Sequence, residues 1–127
     1  MKIKGKKILV TGGSGMIGRH LVKILEDEYS ANVTSTDLPD DLRDRDTCKK
    51  VCDGQDIIFH LAALARIQPS FKEPVETFDA NTKGTLNVLE YARKHKTQVV
   101  YAGSSSTHGG VYKNPYTFSK WVGEELC

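Results

Sequence analysis

The chain has few cysteines, and no metal site is expected from them. It contains three, an odd count, and only Cys48 and Cys52 stand close together, four residues apart and on one face if their segment is helical. No further ligands follow at a spacing suited to a metal ion. We interpret both as small, half-buried residues in the reducing environment of a cytoplasmic protein.

Long apolar runs and an excess of one charge are also missing. No run approaches membrane-spanning length, and the N-terminus lacks the apolar stretch and cleavage site of a secretory signal. The 18 basic and 16 acidic residues give a net charge of +2 and are scattered along the chain. This distribution argues against a membrane or a nucleic acid as partner. With 127 residues, 39% of them hydrophobic, the chain fits one soluble domain covering 1–127.

Strand and helix patterns alternate along the chain, without internal repeats. Short apolar or β-branched runs predict strands, and spacing of three to four residues predicts helices. The predicted strands are 7–10, 32–37, 56–61 and 97–102, and the predicted helices are 16–28, 44–52, 74–94 and 115–127. A turn is expected at 38–41 and a polar loop at 104–112, and Asn114 is expected to cap the last helix. This order predicts an α/β fold with a Rossmann-type, doubly wound parallel sheet.

The run TGGSGMIG joins the first strand to the first helix and predicts a site for a dinucleotide pyrophosphate. Gly12 suits the tight turn, Gly15 lets the backbone approach the pyrophosphate, and Gly18 allows close packing of the helix. The N–H groups at the helix start, where Met16 and Ile17 are further expected cofactor contacts, favour an anion. A glycine-rich run alone also fits a simple turn, but the flanking strand and helix are those that the motif requires.

An acidic residue supports the same prediction and indicates which dinucleotide is bound. Asp37 ends the second predicted strand, 19 residues after Gly18. A carboxylate there accepts hydrogen bonds from the ribose hydroxyls and repels a 2′-phosphate, which favours NAD over NADP. The alternative is that Asp37 only opens the turn that follows it.

These residues resemble the extended short-chain dehydrogenase/reductases, specifically the NAD-dependent epimerase/dehydratase family acting on nucleotide sugars. The resemblance implies that Asp41 accepts a hydrogen bond from the adenine edge and that Leu42 packs on the ring. It also implies that the HLAA run lets the dinucleotide lie against the backbone, and that an Asn in the long helix stands near the active site. The residues concerned are Leu61, Ala62, Ala63 and Asn81.

The final motif is a YxxxK pair, Tyr116 and Lys120, which carries the expected catalysis. Residues four apart lie on one helix face. A free phenol has a pKa of about 10, and a nearby ammonium lowers it, so that Tyr116 can exchange a hydroxyl proton while NAD carries the hydride. Lys120 can also hold a nicotinamide-ribose hydroxyl.

A serine-rich segment precedes this helix, and the resemblance places the substrate-holding hydroxyl at Ser104. A slip of one residue would give the role to Ser105 or its neighbour Ser106. The Thr-Asp-Glu triplet of the dehydratase branch is missing. We therefore expect an epimerase or simple dehydrogenase rather than a dehydratase.

The chain also departs from the family pattern. His108 replaces a common Tyr, either as a substrate-facing substitution or, as we slightly prefer, as a loop residue. Only seven residues separate it from Tyr116, and the short stretch after Asp37 leaves little room for the family's third strand. The chain ends seven residues after Lys120, so we expect the C-terminal substrate domain to be absent from it. It is then a fragment of a longer enzyme or a minimal protein that uses an oligomeric partner.

Two hypotheses about function follow. The first is an NAD-dependent nucleotide-sugar epimerase-type oxidoreductase, or its cofactor half, which takes a UDP-, GDP- or dTDP-sugar and forms a homodimer through its two long helices. The second is a catalytically silent NAD-binding module with a structural or regulatory role. An interaction domain with an incidental glycine turn is disfavoured by the near-neutral charge and five ordered motifs.

Overall fold

Four parallel strands carry the fold, and the computed structural model describes residues 2–127. The strands are β1 (Lys7–Thr11), β2 (Asn32–Thr36), β3 (Ile57–His60) and β4 (Gln98–Tyr101). The helices are α1 (Met16–Asp27), α2 (Arg45–Cys52), α3 (Ile67–Lys72), α4 (Pro74–Phe78), α5 (Gly84–His95) and α6 (Pro115–Leu126). A π-helical segment, Asp79–Lys83, joins α4 to α5, and a 3₁₀ helix, Ser105–Gly109, precedes α6.

The strands lie in the order β2–β1–β3–β4, and helices cover both faces of the sheet. Ile8 of β1 is paired with Val33 of β2 and with Ile57 of β3. Consecutive residues of β1 point to opposite faces, and Ile8, Leu9 and Val10 are all fully buried. A strand covered on both faces is apolar at successive positions, and the apolar runs of β1 and β3 have this cause.

Two apolar clusters hold the layers together. One cluster packs α1 on the sheet through Ile8, Val10, Leu25, Ala31 and Ile57. The other packs α2 and α5 on the opposite face through Leu9, Leu42, Cys48, Cys52, Ile58, Val88 and Tyr91. Helices therefore flank a parallel sheet on both sides, which confirms the Rossmann-type, doubly wound α/β fold. Between β2 and β3 the described chain forms α2 and no strand, as the short sequence after Asp37 indicated.

The long helix predicted for residues 74–94 is interrupted. In the π segment the N–H of Gly84 donates to the carbonyl of Asp79, five residues earlier. The Thr85 hydroxyl donates to the Asn81 carbonyl over 2.6 Å and satisfies it. The spacing of apolar residues in the sequence does not reveal a single widened turn, because the spacing on either side of the turn stays helical.

Three further expectations need correction. The six-residue α3 was not predicted; its Arg66 N-cap makes no side-chain bond, and Pro69 lies inside it. The polar loop 104–112 contains the 3₁₀ helix. Cys48 and Cys52 are completely buried rather than half-buried, because α2 turns them into the second core cluster. Within residues 2–127 no helix has both the length and the apolar character needed to cross a membrane.

Candidate functional site

A cavity of about 520 Å³ opens at the carboxyl ends of β1, β2 and β3. This is the edge of a parallel sheet at which ligands bind in open α/β folds. Its wall is formed by the β1–α1 turn, the segment after β2, the segment after β3 and the start of α6. Thirteen of the predicted site residues line it: Gly12, Gly15, Met16, Ile17, Gly18, Asp37, Asp41, Leu42, Leu61, Ala62, Ala63, Tyr116 and Lys120.

The β1–α1 turn has no space for side chains at two of its glycines. Gly12 has a φ of +72°, and a Cβ there would lie 2.9 Å from the backbone nitrogen of Ala62. At Gly18 a Cβ would overlap the carbonyl oxygen of Gly12. Gly15 caps α1 without any side-chain hydrogen bond, so the N–H groups of the first turn face the cavity unshielded. This backbone cradle and the helix N-terminus together fit a pyrophosphate.

Asp37 lies directly beside this cradle. Its Oδ2 accepts a hydrogen bond of 2.6 Å from the backbone N–H of Ser14, inside the glycine turn. Within residues 2–127 the second oxygen, Oδ1, accepts no hydrogen bond. The carboxylate is therefore held by the turn through one oxygen, and the other is left for a ligand hydroxyl.

The wall after β2 is held by an arginine that the sequence left without a role. Arg43 binds both carboxylate oxygens of Asp41, at 2.6–3.0 Å, and also binds Glu76 of α4 at 2.8 Å. This guanidinium lowers the pKa of Asp41. Leu42 is buried between the cavity and the core. An Arg two residues after the acidic residue was the available signal, because such spacing permits a two-pronged ion pair.

Asn81 lies beneath the cavity rather than on its wall. Its side chain is 1% exposed and is fully used by the protein. Oδ1 accepts from the N–H of Leu64 at 2.7 Å, and Nδ2 donates to the Leu64 carbonyl and to Ser119 of α6. Asn81 thus ties the segment after β3 to α6, and its predicted contact with a cofactor stays a prediction.

Tyr116 lines the other end of the cavity and contacts Ser104, which is not itself a lining residue. The Tyr116 hydroxyl donates to Ser104 Oγ over 3.4 Å. Ser104 Oγ lies 2.8 Å from Ser106 Oγ, which in turn accepts a hydrogen bond from the Thr117 hydroxyl. Ser105 and Ser106 were the alternatives to Ser104. Ser106 contacts the Ser104 hydroxyl, and of these three serines only Ser104 is hydrogen-bonded to the Tyr116 hydroxyl. The role of Ser106 in this hydroxyl chain was missed by sequence reasoning.

Lys120 is the most buried charged group of the site, at 4% exposure. Its Nζ lies 4.3 Å from the centre of the Tyr101 ring, a cation–π distance. Burial lowers the pKa of the Lys120 ammonium to about 8. The predicted Asn114 cap accepts from the N–H of Thr117 at 2.7 Å and fixes the start of this helix. His108 lies in the 3₁₀ helix, is exposed and is not among the residues that line the cavity.

The sequence profile of the NAD dependent epimerase/dehydratase family matches residues 8–127. The chain belongs to this family. A putative UDP-glucose 4-epimerase of Methanocaldococcus jannaschii is 33% identical, in an alignment that covers 93% of this chain and 48% of that protein. UDP-glucose 4-epimerase of Neisseria meningitidis serogroup C is 30% identical and is covered over 40% of its length, against 88% of this chain.

Solved structures show the same fold. The epimerase Mth375 of Methanothermobacter thermautotrophicus is 28% identical and superposes with a TM-score of 0.83 over 98% of this chain and 47% of that chain. RMD of Pseudomonas aeruginosa, solved with NADPH, is 27% identical with a TM-score of 0.79 over 97% and 47%. The family resemblance drawn from the motifs is thereby confirmed, as is the nicotinamide class of cofactor for the family. The chain spans about half the length of the curated relatives that it matches.

Proposed function

We propose that this chain is the NAD-binding domain of a nucleotide-sugar epimerase-type oxidoreductase, with Ser104, Tyr116 and Lys120 as its catalytic group. One observation carries the proposal: a single cavity is lined at one end by the glycine turn and Asp37, and at the other by Tyr116 and Lys120. Cofactor recognition and proton transfer need these two sets of groups within reach of one another.

The residues present fit NAD. The turn glycines leave bare backbone where a pyrophosphate needs it, and Asp37 Oδ1 can accept from a ribose hydroxyl. The alanines after β3 present the floor of the cavity without bulky side chains. When bound, NAD supplies an acceptor and later a donor of hydride.

Proton transfer falls to the side chains of this chain. The Tyr116 oxygen takes the proton from a sugar hydroxyl, while Ser104 Oγ, hydrogen-bonded to it, holds the same substrate oxygen. Lys120 remains mostly protonated at neutral pH, since its pKa of about 8 lies above 7. Lys120 and Tyr116 line the same cavity, so the Lys120 cation is placed on the same side of α6 as the Tyr116 hydroxyl.

The substrate class is proposed from the relatives. One is named a UDP-glucose 4-epimerase and another a putative UDP-glucose 4-epimerase, which supports a UDP-sugar; GDP- and dTDP-sugars stay predictions. A cytoplasmic homodimer is proposed as well. A cluster of aromatic rings, with centroids 5.8–6.3 Å apart, is formed by α4, α6 and the loop before α6. Three of its members, Phe78, Phe118 and Trp121, lie on the helices expected to pair. Sedimentation equilibrium tests the dimer, and a monomer at every concentration would contradict it.

Calorimetric titration with NAD tests the cofactor half of the proposal. We expect the wild-type chain to bind NAD more tightly than NADP. Asp37→Ala should weaken NAD binding by at least about tenfold, because a hydrogen bond to a charged group contributes about 1.5–3 kcal/mol. Asp46→Ala, an exposed acidic residue of α2 that does not line the cavity, is the matched control. No heat of binding with either dinucleotide would contradict the proposal.

Formation of NADH absorbance with UDP-, GDP- or dTDP-sugars tests the catalytic half. We expect a burst with one of these sugars, lost in Tyr116→Phe, which keeps the ring and removes the hydroxyl. If the wild-type chain binds NAD and none of the sugars reduces it, the silent NAD-binding module is the correct alternative.

A further inference from the structure

A buried histidine outside the proposed catalytic group joins three elements of the fold. His60 ends β3 and is 2% exposed. Its Nδ1 lies 2.8 Å from the Thr11 hydroxyl at the end of β1, and its Nε2 lies 2.9 Å from the Thr85 hydroxyl of α5. Thr11 and Thr85 are buried as well. A buried polar cluster with every group paired is rigid and specifies one arrangement.

The neighbouring hydrogen bonds fix the tautomer of the ring. Thr85 donates its hydroxyl hydrogen to the Asn81 carbonyl, so its oxygen must accept from His60 Nε2–H. Thr11 Oγ1 accepts from the N–H groups of Leu61 and Ala62, at 3.2 and 3.1 Å. With its lone pairs thus used, the Thr11 hydroxyl donates its hydrogen to Nδ1.

We infer that His60 is a positioning residue that sets the affinity for the dinucleotide. Its neutral, Nε2-protonated ring holds two segments in fixed relation: the cavity floor at Ala62 and the π segment that carries Asn81. The inference rests on the proposed binding of NAD. A Cβ at Gly12 would lie 2.9 Å from the backbone nitrogen of Ala62, so the glycine turn packs closely on this floor and a shift of the floor affects the turn directly. At the other end, Asn81 passes the constraint to Ser119 of α6.

The charges around the ring favour this neutral form. Burial and the Lys120 cation lower the pKa of His60 to about 4. The titratable groups that face it are Lys120 of α6 and Tyr101 of β4, whose ring centre lies 6.0 Å from that of the imidazole. A second proton would put a donor on Nδ1, opposite a Thr11 oxygen that already accepts two hydrogen bonds. Protonation therefore opposes the network as well as the burial.

The tautomer is tested by ¹⁵N NMR of the imidazole in the whole chain. From about pH 5 to about pH 8 we expect the pattern of a neutral, Nε2-protonated ring. A Nδ1-protonated ring, or titration near the ordinary value of 6.5, would overturn the inference.

The link to the dinucleotide is tested at Thr85, which is 1% exposed and does not line the cavity. Thr85→Val keeps the shape and removes the acceptor for Nε2–H, and we expect the NAD dissociation constant to rise about tenfold. Thr85→Ser keeps the hydroxyl and should restore both the affinity and the NMR pattern. A merely structural threonine would lower stability in Thr85→Val and leave affinity and tautomer unchanged, which would refute the inference. Failure of the wild-type chain to bind NAD would instead contradict the proposed function.

Discussion

Replacing Gly12 with alanine tests whether the glycine turn is set by steric contact with the cavity floor. An L-residue at its φ of +72° is strained by about 1 kcal/mol. The added Cβ would also lie 2.9 Å from the nitrogen and 3.0 Å from the Cα of Ala62. Because both atoms are backbone, the floor has to move, and overpacking of this kind costs about 1–3 kcal/mol. Gly12→Ala should therefore lower the free energy of unfolding by about 2–4 kcal/mol.

Gly54 supplies a matched control. Its φ is +70°, and a Cβ there would meet nothing within 4 Å. Gly54→Ala should then lower the free energy of unfolding only by the cost of the backbone conformation, about 1 kcal/mol. Urea denaturation of both variants measures the difference. Calorimetry should show NAD binding lost in Gly12→Ala and unchanged in Gly54→Ala. Equal losses of stability in both variants would show that contact with Ala62 contributes nothing and would refute the reasoning.

Three further variants address the walls of the cavity. Lys120→Met should raise the free energy of unfolding at neutral pH by on the order of 2 kcal/mol. The pKa of Lys120 is about 8 in the folded chain, against an ordinary value of 10.5, so the unfolded chain binds more protons between pH 8 and 10.5. The free energy of unfolding of the wild-type chain should therefore rise with pH across that window, and that of the variant should not. Asn87→Ala removes the side-chain donor to the carbonyls of Leu42 and Arg43. Calorimetric titration should show NAD binding weakened several-fold, and fluorescence-monitored unfolding should show the free energy of unfolding lowered by about 1 kcal/mol. Asn114→Ala should destabilise the chain by about 1 kcal/mol in thermal unfolding, and no loss would show that the α6 cap is dispensable.

The sheet and the glycine turn could be predicted from the sequence because their signals are local. Three successive apolar residues in β1 indicate a strand that is buried on both faces. In the TGGSGMIG run, the glycines themselves indicate a tight turn whose backbone leaves no space for side chains. Apart from the break in the helix predicted for 74–94, observed strand and helix ends differ from the predicted ones by at most one residue. These are positions at which hydrogen bonding, not hydrophobic spacing, decides the boundary.

Much of the site geometry depends on contacts between distant parts of the chain, which periodicity does not report. The hydrogen-bond partners of Asn81, for example, are the Leu64 backbone and Ser119, 17 and 38 residues away in sequence. The bond from Asn87 to the loop after β2 spans 45 residues. The signal for Asn87 was a polar residue inside an apolar helical pattern, and the signal for Asn81 was the family resemblance. Neither signal names the partner.

The π segment between α4 and α5 has a consequence for how this chain tolerates insertions and deletions. A π turn accommodates one residue more than an α turn, and each α-helical residue advances the helix by about 100°. Deleting one residue within Asp79–Lys83 would therefore let a regular α-helix run from Pro74 to His95 without rotating α4 against α5. The hydrogen bonds that such a deletion disturbs are those of Asn81, which lies inside the widened turn and binds Leu64 and Ser119. A one-residue deletion inside the regular α5 would rotate its two ends against each other by about 100°. A deletion in the π segment should keep the helical content and the helix orientations, and should uncouple the cavity floor from α6.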